Sequence, residues 1–351
     1  MKKIKVFPVL MVCLALALSC DDGSDDGGEE PFLVMVRITG GEFTMGSPLT
    51  EEYRRPIFEI KDDETGEPTG EEIDEEAQWQ VTLSDFYIGK YEITQKQYKT
   101  VMGHNPSYWS IDRELDEDGQ PIETPRPPAA GEIADRRPVE RVKWYEAIVF
   151  CNKLSISEGL TPAYSITIYD QDEEKSFTLI DPDEWGSVPR DNTTEWDTVK
   201  IVEGSDGYRL PTEAQWEYAC RAGTTTPWHS GGTSATLDGY AWYVQNSNTS
   251  GEFMTHQVGK KKANARGLHD MHGNVAEWCW DRSVYETEKP TPPYPTSPQT
   301  DPEGESTGDT RRVRGGYYYS GGEDMRSAAR SGAFPYGLGM STGFRVARPA
   351  P

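Results

Sequence analysis

Histidine, cysteine and basic residues are scarce in this sequence, and each shortage argues on chemical grounds against a class of metal site or binding partner. The 351 residues include 5 histidines and 5 cysteines, which are few ligands for zinc or for a redox-active metal. Lys and Arg number 35 against 59 Asp and Glu, so the formal net charge is -24. Because phosphate groups repel such a chain, nucleic acid is excluded as a partner, and so are anionic lipid headgroups. We interpret the acidity as a source of solubility, with divalent-cation binding as the alternative.

The apolar run at the N-terminus is too short to span a bilayer easily. Residues 1–5 are rich in lysine and residues 6–18 are apolar, a pattern typical of a signal peptide, which we assign to residues 1–19. Ser19 precedes Cys20, and an acidic stretch follows. This arrangement resembles a bacterial lipoprotein cleavage site, so Cys20 is predicted to carry the lipid. An ordinary secreted protein cut nearby is the alternative.

Residues 20–31 form a predicted lipidated, flexible and acidic tether between the membrane and the folded domain. We therefore expect a membrane-anchored lipoprotein at the outer membrane or cell surface, in contact with the bilayer through its N-terminal lipid only. Beyond the tether three cysteines remain: Cys151, Cys220 and Cys279. An odd number allows one disulfide and one thiol, and the spacing leaves the pairing open.

Large rings, glycine and proline are abundant. The sequence holds 10 Trp, 18 Tyr, 34 Gly and 25 Pro, a composition typical of a loop-rich domain whose core is built from aromatic side chains. The spacing predicts helices over 94–102, 142–154 and 211–220, and a strand over 81–88. Residues 165–206 are expected to be a long polar stretch. We predict one α+β domain over residues 32–348, with few helices, short strands and much irregular loop.

Seven sequence blocks carry a resemblance that covers most of the chain. In order they are GGEFTMG (40–46), FYIGKYEIT (86–94), PVERV (138–142), YRLPTEAQWEYA (208–219), GLHDMHGNVAEW (267–278), RGG (314–316) and GFRVAR (343–348). The ordered set resembles the sulfatase-modifying-factor family, which comprises the formylglycine-generating enzymes and their relatives. The resemblance implies a C-type-lectin-like fold of the formylglycine-generating-enzyme type.

One of these blocks is a candidate calcium site. Asp270, the turn at Gly273 and Glu277 place carboxylates around carbonyl groups within one short loop, a setting that suits a hard cation. The resemblance implies a structural calcium ion held by the side chains of Asp270 and Glu277 and by the carbonyls of Gly273 and Val275. The alternative is a capped turn packed under Trp278. A second family calcium site would fall near residues 241–256, without identifiable ligands.

Other metals are not expected. His256, His269 and His272 lack the spacing of a zinc site. In the family's oxidases a thiol pair binds copper between the RGG block and the next arginine-rich block. Residues 316–330 contain no cysteine here, and Ser320 stands about where the first thiol would be. A hydroxyl does not replace a copper-binding thiolate, so we expect neither copper nor oxidase activity. The family's iron-dependent sulfoxide-synthase branch needs a three-histidine site from an extra helical domain. This sequence has 5 histidines and no such domain, so we do not expect that activity either.

Residues 311–348 instead have a composition typical of a recognition surface. Recurrent arginine and glycine positions alternate with stretches rich in Tyr, Ser and Gly, the residues that antibody paratopes favour. This segment resembles the variable region of treponemal lipoproteins diversified by retroelements. The predicted ligand-contacting residues are Tyr317, Tyr318, Tyr319, Ser320, Asp324, Ser331, Ala333, Phe334, Tyr336, Leu338 and Ser341. A Gly/Tyr-rich loop without a ligand is the alternative. Arg326, Arg330 and Arg345 are expected to pair with buried carboxylates beneath the segment.

These observations predict a cell-surface lipoprotein, not an enzyme, that binds a ligand through its C-terminal surface. Its partner would be an unidentified protein or cell-surface ligand. A formylglycine-generating oxidase and a structural lipoprotein without ligand are the alternatives.

Overall fold

A computed structural model describes residues 31–55, 58–61, 68–74, 76–111, 125–170, 174–191, 193–249, 251–283 and 297–351. The predicted signal peptide, Cys20 and residues 20–30 of the tether lie outside the described residues. In the described part of the chain, no helix combines the length and apolar character needed to cross a membrane.

Four α-helices are described, and three of them fall where the sequence predicted helices. Thr94 caps the first: its hydroxyl accepts the amide of Gln97, and the Gln97 side chain accepts the amide of Thr94. This capping box satisfies amides that would otherwise lack partners. Thr212 and Gln215 repeat the arrangement at the last helix. The helices are α1 (Gln95–Met102), α2 (Trp144–Ser157), α3 (Thr194–Asp197) and α4 (Glu213–Arg221).

The strands are short and distributed along the whole domain, as predicted for an α+β fold. They are β1 (Met35–Ile38), β2 (Gly41–Met45), β3 (Phe58–Lys61), β4 (Pro68–Ile73), β5 (Trp79–Leu83), β6 (Phe86–Gly89), β7 (Tyr164–Asp170), β8 (Lys175–Leu179), β9 (Lys200–Ile201), β10 (Asn248–Thr249), β11 (Glu252–Phe253), β12 (Ala276–Ser283), β13 (Gln299–Thr300), β14 (Thr310–Arg314), β15 (Ser331–Ala333), β16 (Thr342–Gly343) and β17 (Ala347–Pro349). Within the predicted polar stretch 165–206 lie β8, β9 and α3, and β7 begins one residue before it. The alternating Tyr164, Ile166 and Ile168 mark β7 in the sequence.

Two sheets set the position of the C-terminal segment. In the first, β6 lies between β1 and β17, so the start and end of the domain join one sheet. In the second, the order is β15-β14-β12-β16. Its central strands β12 and β14 are antiparallel, and both are buried along nearly their whole length. The segment between β14 and β16 therefore leaves this sheet and returns to it.

Tryptophan rings dominate the core, as the composition predicted. Trp144, Trp216, Trp228 and Trp278 are fully buried. The ring N–H of Trp144 donates to the Cys279 carbonyl at 2.9 Å, and that of Trp278 donates to the Val142 carbonyl at 2.8 Å. These rings thus fill volume while their polar atoms stay paired.

Candidate functional site

Arg326 anchors the C-terminal segment to the N-terminal half of the domain. Its guanidinium donates to both carboxylate oxygens of Glu76, at 2.8 and 2.7 Å, and to Glu51 at 2.8 Å. Ser47 also donates to Glu76 at 2.7 Å. Arg326 and Glu76 are almost completely buried. This bidentate ion pair therefore fixes the loop of residues 317–325 from its buried side.

Arg330 and Arg314 form a second anchor on helix α4. Arg330 donates to both oxygens of Glu213, at 2.8 and 2.6 Å. Arg314 donates to Glu217 at 2.6 Å, and also to the carbonyls of residues 327, 328 and 329. Burial alone would raise the pKa of Glu213, but the neighbouring arginines lower it to about 2. The carboxylate therefore stays ionised.

The third anchor lies at the end of the segment. Arg345 donates to both oxygens of Glu277, each at 2.6 Å. Both side chains are fully buried. The expectation that Arg326, Arg330 and Arg345 pair with buried carboxylates is therefore confirmed. We call these ion pairs, together with Arg314–Glu217, the buried frame.

The run Tyr317–Ser320 makes a tight turn on top of this frame. The Ser320 hydroxyl accepts the amide of Tyr317 at 3.1 Å, and the Ser320 amide donates to the Tyr317 carbonyl at 2.8 Å. The Tyr318 amide donates to the Asn274 carbonyl at 2.9 Å. The Tyr318 ring is 9% exposed and meets the edge of Trp109. The expectation that Tyr318 and Ser320 face a ligand is corrected: both are buried, because they hold the turn together.

The other nine predicted contact residues reach the surface to differing degrees. Tyr319 is 53% exposed. Phe334 and Tyr336 stack with their ring centroids 5.3 Å apart. Exposed are Tyr319, Asp324, Ser331 and Leu338, and partly exposed are Tyr317, Ala333, Phe334, Tyr336 and Ser341. We call these nine residues the display surface.

Sequence reasoning missed neighbours of the display surface that come from distant parts of the chain. The Phe253 ring lies 4.7 Å from the Tyr319 ring, centroid to centroid. Beside them, the Arg126 guanidinium lies 3.9 Å from the centre of the Tyr108 ring and pairs with Glu252 at 3.3 Å. A cluster of aromatic residues at 108–109 was visible in the sequence, but nothing there indicated its proximity to residue 319.

The loop of residues 270–277, the candidate calcium site, packs directly against the segment. Gly273 donates to the Gly315 carbonyl at 2.8 Å, and Ala276 donates to the Ser341 carbonyl at 2.9 Å. Gly273 has a φ of +81°, and a Cβ there would lie 2.1 Å from the Trp242 carbonyl oxygen. Only glycine fits this close approach. The loop thus supports the start and the end of the display surface.

The charges in this loop are unbalanced. Asp270 and Glu277 are buried beside Glu92, a third carboxylate that accepts the amides of Val275 and of the Asn274 side chain. One oxygen of Asp270 accepts the Gly259 amide at 2.8 Å, and the other is buried without a hydrogen-bond partner. Burial raises the pKa of Asp270 to about 6, and it raises the pKa of Glu92 as well.

The donor set suits a hard cation, although part of it is engaged. Asp270 offers an unpartnered oxygen, and three carboxylates face a single arginine. Glu277, in contrast, already accepts both Arg345 bonds and the Trp216 ring N–H at 2.8 Å. Within the described ranges, no group of three or more His, Cys, Asp or Glu side chains is arranged to hold a metal ion. A calcium ion here would rely on the carbonyls of Gly273 and Val275 as much as on the carboxylates.

The three cysteines beyond the tether are free and buried. The Cys220 sulfur lies 3.6 Å from the Ser327 hydroxyl and 3.8 Å from Nε2 of His272. Burial raises the pKa of Cys220 to about 12 and raises those of Cys151 and Cys279 as well. All three are therefore protonated at neutral pH, and none forms the disulfide that the sequence left open.

Together, the few helices, short strands and long loops define a C-type-lectin-like domain of the formylglycine-generating-enzyme type, as predicted. The family model of the sulfatase-modifying factor enzyme 1-like domain matches residues 27–350. The chain belongs to this family, which confirms the resemblance carried by the seven blocks.

Three relatives of different kinds match the chain. The chain is 32% identical to Treponema denticola variable protein 1, a solved structure, with a TM-score of 0.69 over 90% of this chain and 95% of that one. It is 41% identical to the chaperone protein LppX of Paenibacillus barcinonensis over 214 residues, 57% of this chain and 64% of LppX. It is 36% identical to the formylglycine-generating enzyme of Streptomyces coelicolor over 168 residues, 44% of this chain and 51% of the enzyme. The alignments thus span less than two thirds of these last two relatives.

Proposed function

We propose that this protein is a cell-surface lipoprotein that binds a ligand through the display surface. The proposal rests on the contrast between buried and exposed side chains within residues 311–348. Arg314, Arg326, Arg330 and Arg345 are buried in the frame, whereas the nine side chains of the display surface are exposed or partly exposed between them. Rigid aromatic side chains on a fixed backbone provide contact area at low entropic cost. The 32% identity to a treponemal variable protein supports the same function.

Diversification by a retroelement is part of this proposal. The nine positions of the display surface carry residues that substitution of adenines in asparagine codons produces, whereas the exposed Glu323 and Met340 do not. The genomic neighbourhood tests it: we expect a reverse-transcriptase gene and a near-copy of the codons for residues 311–348. Their absence would leave a binder of fixed sequence.

Lipid attachment at Cys20 is the second part. Intact-mass measurement of detergent-extracted protein is expected to show a chain that begins at Cys20 and carries acyl mass. An unmodified chain of that length would contradict the anchor.

We further propose that calcium stiffens the loop beside the display surface, held by Asp270, Glu277 and the carbonyls of Gly273 and Val275. A bound cation would balance the excess of buried carboxylates over Arg345 and supply a partner for the unpartnered oxygen of Asp270. Since the Asn274 carbonyl accepts the Tyr318 amide, a rigid loop would also hold the turn at Tyr317–Ser320.

Oxidase activity is disfavoured by the side chains of the segment. Ser320 occupies the position expected for the first thiol, and its hydroxyl is engaged by the Tyr317 amide. The free cysteines are buried and protonated, whereas thiolates are what bind copper. Oxidation of a thiol-containing substrate peptide, with consumption of oxygen, would revive the enzyme hypothesis.

A chaperone role is the second candidate function. The observation that favours it is the 41% identity to the chaperone protein LppX. A chaperone role would use the same binding surface as the first proposal, but the ligand would be an incompletely folded polypeptide. Suppression of aggregation of a chemically unfolded test protein, at equimolar amounts, would distinguish the two.

The central experiment uses alanine variants and a ligand selected from a displayed peptide library. Tyr319→Ala combined with Tyr336→Ala is expected to weaken binding about tenfold or more, because exposed tyrosines are frequent hot spots. The matched control is Tyr169→Ala, an exposed tyrosine of β7 that is 61% accessible. Equal loss of binding in the control, or none in the double variant, would contradict the proposal.

A further inference from the structure

The display surface carries charge of one sign only. Residues 317–341 contain four charged side chains, and all of these residues are described. Arg326 and Arg330 are buried in the frame, whereas Glu323 and Asp324 are exposed. The arginines therefore present no positive charge to a ligand, although they make the segment look balanced in sequence.

A loop from the N-terminal half extends this acidic surface. Glu51 is tied to Arg326 at 2.8 Å, which places the following residues, Glu52 and Tyr53, next to the segment. The Tyr53 ring lies 6.5 Å from the Trp228 ring, centroid to centroid. Trp228 in turn donates its ring N–H to the Gly322 carbonyl at 3.0 Å.

The charges confirm this neighbourhood. A hydrogen bond to Glu52 raises the pKa of the Tyr53 hydroxyl, and the negative charge of Glu323 adds to the effect. Tyr53 is 53% exposed, and Leu49 of the same loop is 71% exposed. An exposed tyrosine ring is thus flanked by carboxylates that come from two separate parts of the chain.

We infer that the surface formed by Glu52, Tyr53, Glu323 and Asp324, together with Leu49 of the same loop as Tyr53, binds a basic polypeptide segment. This inference rests on the proposed function and adds residues 49–53 to it. Carboxylates attract guanidinium and ammonium groups, and tyrosine rings offer them a cation–π contact. The exposed Leu49 suits apolar residues between the basic ones. Charge complementarity therefore selects a cationic peptide from the possible ligands.

The test uses the full chain and two amidated probe peptides. In the basic probe, arginine and leucine alternate with glycine; the acidic probe has glutamate in place of each arginine. Fluorescence anisotropy is expected to show binding of the basic probe, weakened by added salt, and no binding of the acidic probe. Equal binding of both probes, or failure of the basic probe to bind, would overturn the inference.

Charge reversal separates a local surface from a general attraction to an acidic protein. The double variant Glu323→Lys/Asp324→Lys is expected to weaken basic-probe binding about tenfold or more. The control, Glu184→Lys/Glu203→Lys, has the same net charge and alters exposed carboxylates on other loops; it should change affinity less than about twofold. Equal losses in both variants would show bulk attraction only and contradict the site. Melting temperatures near that of the wild type verify that each variant is folded.

Tyr53→Ala tests the contribution of the N-terminal loop. We expect about a fivefold loss of affinity for the basic probe, in the range of an exposed cation–π contact, against no change in Tyr169→Ala. No loss in Tyr53→Ala would remove residues 49–53 from the site. The outcome for the proposed function is separate. A library-selected ligand that depends on Tyr319 and Tyr336 but tolerates the charge reversal would keep the binder and reject a basic ligand.

Discussion

Two clusters of buried carboxylates support the C-terminal segment, and they differ in how their negative charge is compensated. Glu213 and Glu217 on helix α4 meet Arg314 and Arg330, and Glu217 also accepts Arg221 at 2.8 Å. Glu92, Asp270 and Glu277 meet Arg345 at the other end of the segment. The pKa of Glu213 is lowered to about 2, whereas that of Asp270 is raised to about 6.

The difference shows which carboxylates have their charge compensated by side chains of the protein alone. A buried charge is tolerated when a partner of opposite sign and hydrogen bonds compensate its lost hydration. Glu213 and Glu217 meet this condition with Arg314 and Arg330 of the segment. Asp281, which accepts the Glu213 amide at 2.6 Å, is the exception: burial raises its pKa to about 7, and the charge of Glu213 adds to the effect. The cluster around Asp270 does not meet the condition, and it needs either protons or a cation. We therefore expect Glu213 and Glu217 to stabilise the fold at neutral pH whether or not calcium is present, and the cluster around Asp270 to make stability depend on calcium and pH.

The largest effect is expected from breaking the Glu213–Arg330 ion pair. Glu213→Gln would leave Arg330 buried without its carboxylate, which costs about 3–5 kcal/mol in comparable cases. Chemical denaturation monitored by tryptophan fluorescence measures this loss. The control is Glu203→Gln, an exposed carboxylate, whose effect should stay within about 0.5 kcal/mol. A stable Glu213→Gln variant would show that the frame does not hold the segment.

A smaller effect is expected from calcium at the cluster around Asp270. Saturating calcium at about a hundredfold excess over its dissociation constant would add about 2.7 kcal/mol of stability. Hydrogen exchange should show the Tyr318 amide protected with calcium and faster with a chelator, because that amide donates to Asn274. Glu213→Gln should retain the response and Glu277→Ala should lose it. Identical melting curves with calcium and chelator would reject the site.

An effect similar in size to that of calcium is expected from pH, and it has opposite signs at Glu213 and Asp270. Glu213 has a lowered pKa, so its stabilisation is present above the unfolded value of 4.5 and is lost as pH falls towards 2. Asp270 has a raised pKa, so its contribution is fully present below 3.8 and is lost as pH rises through about 6. In chelator, Asp270→Asn should therefore gain stability relative to wild type as pH rises from about 4 to about 7.

Calcium provides the internal control for this pH experiment. If a cation balances Asp270, the stability advantage of Asp270→Asn should shrink when calcium is added. Asparagine tolerates the left-handed backbone that Asp270 adopts, with φ of +58°, so strain does not complicate the comparison. A difference between the two proteins that is independent of pH would contradict the raised pKa.

The sequence predicted the frame better than the display surface. Pairing of Arg326, Arg330 and Arg345 followed from their setting, since a buried arginine requires a carboxylate. Their partners did not, because Glu76 lies 250 positions from Arg326 along the chain. Glu92 was overlooked although it lies within one of the family blocks. Its role as the third carboxylate becomes apparent only when Val275 and Asn274 are seen to donate to it.

The tyrosine run shows why exposure could not be predicted residue by residue. Tyr317, Tyr318 and Tyr319 are identical in type, yet their exposure ranges from buried to half exposed. Hydrogen bonds between Tyr317 and Ser320 turn the chain, and that turn sends one ring towards Trp109 and the next towards solvent. Composition predicted a recognition segment, whereas the local backbone decides which rings belong to the display surface.

A substitution scan of residues 317–341, read out separately for folding and for ligand binding, tests the central claim most directly. The account predicts that Tyr318, Ser320, Arg326 and Arg330 tolerate few replacements because folding fails. It predicts that Tyr319, Asp324, Ser331 and Leu338 accept most residues without loss of folding, while their replacement changes binding. Uniform tolerance across both sets, or folding that fails at the exposed positions, would contradict a buried frame that carries a freely variable surface.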